Sequence, residues 1–271
     1  MKFKSLIILI VLSAGFGIWK WHAAGNGADA PEATGSRLKE ETRHAPALMS
    51  VMLPDSITSQ IKDYEGFSVS FNKDNHTPNY VVWELLPEET EGEVPRQSKF
   101  WTDTDIEGCA TDYDYRRSGY DRGHICPAAD QKWSARAMHD CFVMANICPQ
   151  DHRLNSGAWA TLEKRERTWT RKHDGLIIAA GPIYDKNDTQ RIGATGVRVP
   201  SAFFKVFLAH RAEKPQALAV VYPNMSAYGN MTNYFMSVDE LEKITGFDFF
   251  YALPDDEEAE VEKTFNPKEW R

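Results

Sequence analysis

Cysteine is scarce in this chain. The four in 271 residues, Cys109, Cys126, Cys141 and Cys148, form no Cys-x-x-Cys pair, which argues against a zinc ribbon or knuckle. Internal repeats and heptad runs are missing, so solenoids and coiled coils are set aside. A basic excess is missing too: the net charge is −8, unlike proteins that simply coat nucleic acid. The longest apolar run, Leu6 to Trp19, falls short of the roughly 20 residues of a spanning helix. Asp103 and Asp105 open like a calcium loop, but EF-hand spacing and its central glycine do not follow.

What is present divides the chain in three. Lys2 and Lys4 ahead of the apolar run give residues 1–24 the form of a signal peptide. Trp19-Lys20-Trp21 makes an uncleaved membrane anchor the alternative. Either reading predicts an exported protein, periplasmic or extracellular. Residues 25–53, rich in Gly, Ala, Glu and Thr, read as a flexible linker, and residues 54–271 as the folded domain. Four cysteines suit an oxidising compartment. Cys126 and Cys148 sit in similar Ile-Cys-Pro segments expected to be neighbouring strands. They are the expected disulfide, with Cys109–Cys141 as the second; a zinc site using His124 or His139 is the competing reading.

The pattern from Tyr64 onward predicts α+β architecture around a central, mainly antiparallel sheet. Tyr64–Phe71 and Tyr80–Leu85 read as a hairpin, Phe142–Ile147 and Leu176–Ala180 as buried strands, and 197–199, 202–208 and 217–222 as further strands. Helices are expected over 130–139, over 155–173 before Gly175, and over 237–245. The last has a Ser237/Glu240 capping box and stops at Gly246. Charge is segregated. Acidic clusters at Glu84–Glu93 and Asp255–Glu262 flank an Arg- and Lys-rich stretch from Arg116 to Lys172. A local basic field on an acidic protein suits an enzyme that turns polyanions over, and the two clusters read as solvated charge.

The chemistry concentrates in Asp121-Arg122-Gly123-His124 and in the stretch from Asn146 to Arg167. Imidazole is the side chain that is neutral yet basic near working pH, so His124 is the candidate general base. Gly123 permits a tight approach, and Arg122 offers a fork to phosphate or an ion pair to a carboxylate. Asp121 orients its neighbours, and Asn146 supports the site by hydrogen bonding. Asn155 and Glu163, eight apart on a helix, share one side but lie about 12 Å apart along the axis. The economical arrangement has Asn155 binding a metal through its amide oxygen and Glu163 holding a water on it. Oxygen donors and retained waters suit Mg²⁺, with Mn²⁺ or Ca²⁺ the substitutes. The plain alternatives are an N-cap for Asn155 and an ion pair with Arg167 for Glu163.

These residues resemble those of the DNA/RNA non-specific endonucleases. The similarity lies in Asp-Arg-Gly-His at 121–124, Asn-Ile-Cys-Pro-Gln at 146–150 and Leu-Asn-x-Gly-Ala-Trp-x-x-Leu-Glu at 154–163. It continues through Gly181-Pro182-Ile183-Tyr184 and the segments at 199–206 and 245–250. The resemblance implies a ββα-metal (His-Me finger) site with His124 as base, Asn155 as direct ligand of one magnesium ion and Glu163 acting through water. It places Arg122 and Arg167 near the phosphate and implies endonucleolytic hydrolysis of DNA and RNA that leaves 5′-phosphates. Some relatives carry an arginine just before the early hairpin strand, where this chain has His76-Thr77-Pro78-Asn79; help from that side is expected to be weaker or to come from elsewhere. A homodimer is compatible with the sequence. Two other readings stand: a phosphodiesterase acting on small nucleotides, and a catalytically silent nucleic-acid-binding envelope protein.

Overall fold

The computed structural model describes residues 45–187, 189–227 and 229–271. In chain order the strands are β1 (Val51–Met52), β2 (Gln60–Asp63), β3 (Ser68–Asn72), β4 (Thr77–Leu85), β5 (Asp121–His124), β6 (Ile147–Gln150) and β7 (Leu176–Ile183). They continue as β8 (Arg191–Ile192), β9 (Val197–Arg198), β10 (Ala202–Ala209), β11 (Gln216–Pro223), β12 (Phe235–Met236) and β13 (Asp248–Phe249). The helices are α1 (Ala135–Asp140), α2 (Ala160–Lys172), α3 (Val238–Thr245) and α4 (Asp255–Lys263). Seven strands form one sheet in the order β12-β11-β10-β7-β4-β3-β2, with every pairing antiparallel. The expected mixed architecture with a large antiparallel sheet is what forms.

Both faces of this sheet are covered, which is why its central strands are apolar throughout rather than alternating. Val81, Trp83, Ile178, Ala180, Phe203 and Phe207 point to one face, where Leu162 and Trp169 of α2 pack on them. Tyr80, Val82, Ile177, Ala179, Val206 and Leu208 point to the other, against Val238 and Leu241 of α3 and Val261 of α4. Gly181 sits where β7 crosses β4 and β10: a Cβ there would meet the Asn79 carbonyl and lie 2.9 Å from the Phe204 ring.

Several elements differ from their sequence-based expectation, each for a local reason. Tyr64–Phe67 is the turn between β2 and β3, closed by the Tyr64 amide donating to the Phe67 carbonyl at 2.9 Å. Of Phe142–Ile147 only Ile147 is strand, as the start of β6; Phe142–Asn146 is a chain of tight turns, because the Val143 and Asn146 amides donate to the carbonyls three residues back. The helix expected over 130–139 shortens to α1, whose start is set by Ser134 Oγ accepting from the Arg136 and Ala137 amides. β1 lies inside the stretch read as linker and pairs Val51 with Phe249. The signal-or-anchor reading of residues 1–24 lies outside the described residues. Among those described, no helix is long and apolar enough to cross a membrane.

The expected disulfides are corrected: all four cysteines are free thiols. The two Ile-Cys-Pro segments are indeed neighbours, but their register places Cys148 opposite Gly123. Cys126 is three residues further on, roughly 10 Å along the strand, beyond the ~7 Å that a disulfide spans. Its sulfur accepts from Gln131 Nε2 at 3.2 Å, while Cys141 donates to the Met138 carbonyl at 3.2 Å. Burial pushes the Cys141 thiol up to about 12 and the Cys109 thiol to about 11.

Candidate active site

β5 and β6 form a two-stranded ribbon beside the main sheet, and α2 follows them. Asp121 pairs with Gln150, Gly123 with Cys148 and His124 with Ile147. Gly123 is required by contact: a Cβ there would lie 2.6 Å from Gln150 Cβ. Fully buried Asn146 locks the ribbon's exit. Its Oδ1 accepts from the Cys126 amide at 2.9 Å, and its Nδ2 donates to the carbonyls of Cys126 and Cys141 at 2.9 and 2.8 Å. All its polar atoms are engaged within the protein, so it is a strut.

His124 is 7% exposed, with its ring against Phe142 (centroids 4.8 Å apart) and Phe100 (5.4 Å), and among the described residues its Nε2 has no hydrogen-bond partner. Burial, and then the positive charge of Arg96, lower its pKa to about 3. The imidazole is therefore neutral at any ordinary working pH. Phe100 also forms part of the wall of an open cleft of about 550 Å³, lined by Arg116, Arg117, Asp121, Arg122 and Asn155 among others.

Asn155 projects from a π-helical turn, Leu154–Trp159, that precedes α2. This wider turn, of a kind frequent at functional sites, replaces the α-helical spacing assumed between Asn155 and Glu163. The Asn155 amide nitrogen donates to Asp121 Oδ2 at 2.8 Å, and His152 Nδ1 lies 2.9 Å from the same oxygen. Asp121 thus holds the amide by its nitrogen, and among the described residues Oδ1 has no hydrogen-bond partner. Glu163 lies in the first turn of α2. Burial pushes its carboxyl up to about 7, against the pull of Lys205, with Asp130 pushing the same way. An amide oxygen and a carboxyl are the hard oxygen donors that a divalent cation such as Mg²⁺ takes.

The arginines divide by whether they are already paired. Arg122 Nη1 is 2.6 Å from Asp112 Oδ1, and its guanidinium lies 5.0 Å from the centre of the Phe100 ring. Arg167 Nη1 is 2.7 Å from Asp130 Oδ1, so its partner is Asp130 and not Glu163. Asp130 is fully buried and also accepts from Trp83 Nε1 at 3.2 Å. Sequence reasoning missed Arg96. Exposed, and 5.1 Å from the centre of the Phe142 ring, it is close enough to depress the pKa of His124 and to pull on Glu163. Among the described residues it has no ion-pair partner. Its only signal in the sequence is a cation directly after the acidic loop, in Pro95-Arg96.

A neutral imidazole beside a cation-lined cleft, with an amide on the adjoining turn and a carboxyl on the helix that follows, fits a metal-dependent nuclease on a ββα-metal fold. Residues 44–256 match the DNA/RNA non-specific endonuclease family, and the chain belongs to that family. It is 31% identical over 206 residues to human mitochondrial endonuclease G, covering 70% of this chain and 69% of that protein. To the mitochondrial nuclease of Saccharomyces cerevisiae it is 30% identical over 230 residues, with 76% and 70% covered. To zebrafish mitochondrial nuclease EXOG it is 34% identical over 218 residues, but it spans only 63% of that relative's length. A crystal structure of an EndoG/EndoGI complex superposes with a TM-score of 0.69 at 26% identity, covering 73% of this chain and 89% of that one. The relatives correct one expectation. They are named as mitochondrial nucleases, against the expectation of a secreted or otherwise exported protein.

Proposed function

We infer that the chain cleaves both DNA and RNA internally, with His124 as the general base and one divalent ion, Mg²⁺, held by Asn155 directly and by Glu163 through water. The observation that supports this most is the pairing of a buried, neutral His124 with an Asn155 oxygen that Asp121 leaves unpartnered. Neutral His124 accepts the proton of the attacking water, and the in-line displacement leaves a 5′-phosphate. When bound, the ion offsets charge on the phosphate and on the departing 3′-oxygen. Arg96 and the cleft-lining Arg117, neither with a carboxylate partner among the described residues, are the cations free to contact phosphate. Arg122 reaches it while held by Asp112, and Arg167, tied to Asp130, acts from behind the cleft.

Digestion of plasmid DNA and of RNA, with Mg²⁺ and with EDTA, tests the reading. Both substrates are expected to disappear only with the metal. His124→Ala is expected to lower turnover by about 10²–10⁴-fold with the fold intact, whereas Asn155→Ala raises the metal concentration needed. Near-normal cleavage by His124→Ala would remove the base assignment.

A further inference from the structure

Five carboxylates gather on the sheet face away from His124. Asp239 and Glu242 come from α3, Asp248 from β13, and Glu258 and Glu262 from α4. Oxygens of Asp239, Glu242 and Glu262 lie within 4.8 Å of one another, and so do those of Asp248, Glu258 and Glu262. Glu262 belongs to both groups. It is 6% exposed, and among the described residues its Oε1 has no hydrogen-bond partner. Among the described residues, the one side-chain hydrogen bond to the cluster is the Phe249 amide donating to Glu242 at 2.8 Å. The ion pair that α4 does make there, Lys214 with Glu260 at 2.6 Å, lies on its exposed side. A solvated acidic run does not bury an unpartnered carboxylate among four others, because burying charge without a counter-charge is costly.

The cluster is separate from the cleft. Val238, Leu241 and Val261 beside it pack in the core on the second face, whereas Phe142 under His124 belongs to the first. Its donors are all oxygens, and oxygens this close together can jointly touch one ion at about 2.4 Å. Calcium accepts six to eight oxygens in flexible geometry, while magnesium demands a near-ideal octahedron and keeps its waters. We propose that Asp239, Glu242, Asp248, Glu258 and Glu262 form a second cation site of the calcium class, whose ion pins α4 and β13 to α3. Because β13 pairs with β1, the same ion anchors the entry strand of the domain. Without an ion, carboxylate oxygens held this close together repel one another. A divalent cation offsets that repulsion directly.

Calcium uptake by the full chain carrying Asn155→Ala, measured by calorimetry without nucleic acid, isolates this site from the cleft and from the nuclease reading. One calcium ion per chain is expected, with melting raised by about 5 °C at calcium a hundredfold above Kd. Adding Glu262→Gln should weaken uptake by at least about tenfold and abolish the melting shift. Glu262→Gln alone should leave magnesium-dependent DNA cleavage unchanged. Circular dichroism checks the fold, and half-exposed Glu258→Gln gives the same comparison if Glu262→Gln unfolds. No uptake at millimolar calcium, or uptake indifferent to both substitutions, overturns the proposal.

Discussion

At the scale of single residues, the site is governed by what each polar atom is denied. His124 is denied water and a hydrogen-bond partner at Nε2, so it stays neutral far below the usual imidazole range. An acid limb near pH 7 must then come from elsewhere, and Glu163 is the group placed to supply it. Its folded carboxyl titrates at about 7, so protons compete with the ion below that pH and not above it. The half-saturating Mg²⁺ concentration should be level above pH 7.5 and climb toward about tenfold per unit below pH 7, and Glu163→Gln should flatten the rise. A level curve in the unaltered chain from pH 5.5 to 8.5 would defeat this assignment. Asp121→Ala tests the hold that Asp121 has on the Asn155 amide. Releasing the amide should cost about 10–100-fold in metal affinity, the usual range for a ligand's supporting partner, with turnover at saturating metal far less affected.

At the scale of elements, the β5–β6 ribbon and the π-helical turn carry the site on regular backbone. Gly123 lets the two strands close over Gln150. Gly123→Ala forces the strands apart and should cost about 1–3 kcal/mol in denaturant unfolding, together with a loss of cleavage larger than the stability change explains. A melting curve and activity both unchanged would show that the ribbon relaxes freely. The turn Leu154–Trp159 puts Asn155 ahead of α2, hydrogen-bonded to Asp121 in the wall of the cleft. α3 shows the opposite situation, an element specified almost wholly by its own residues. Ser237 Oγ accepts from the Glu240 amide at 3.2 Å, Glu240 accepts from the Ser237 amide at 2.9 Å, and Gly246 ends the helix at φ 72°.

At the scale of the whole molecule, the cleft stands on a buried charge network that joins α2 to the sheet. Lys205 of β10 is fully buried, 2.7 Å from Glu166 of α2, with its Nζ 5.1 Å from the Trp83 ring centre and 4.8 Å from that of Trp159. Arg167–Asp130 lies alongside, and Glu163 feels both pairs. Removing one member leaves an uncompensated interior charge. Lys205→Met should cost about 3–5 kcal/mol in denaturant unfolding, and Lys205→Met with Glu166→Leu should recover most of it. If the double variant were as unstable as the single, packing and not charge pairing would set the cost.

The sequence by itself determined what depends on neighbours along the chain. The antiparallel α+β architecture follows from strand-length apolar runs, α3 from its caps, and the candidacy of His124, Asn155 and Glu163 from motif chemistry read at short range. Tertiary structure alone decided whatever depends on which segments meet. The cysteines stay apart because strand register offsets them by three residues. Arg122 and Arg167 find their carboxylates at Asp112 and Asp130. Arg96 arrives beside His124 from a loop without periodicity, and Glu262 is buried because α4 packs against α3 and β11. Those outcomes rest on distances across space, which residue spacing along the chain does not encode.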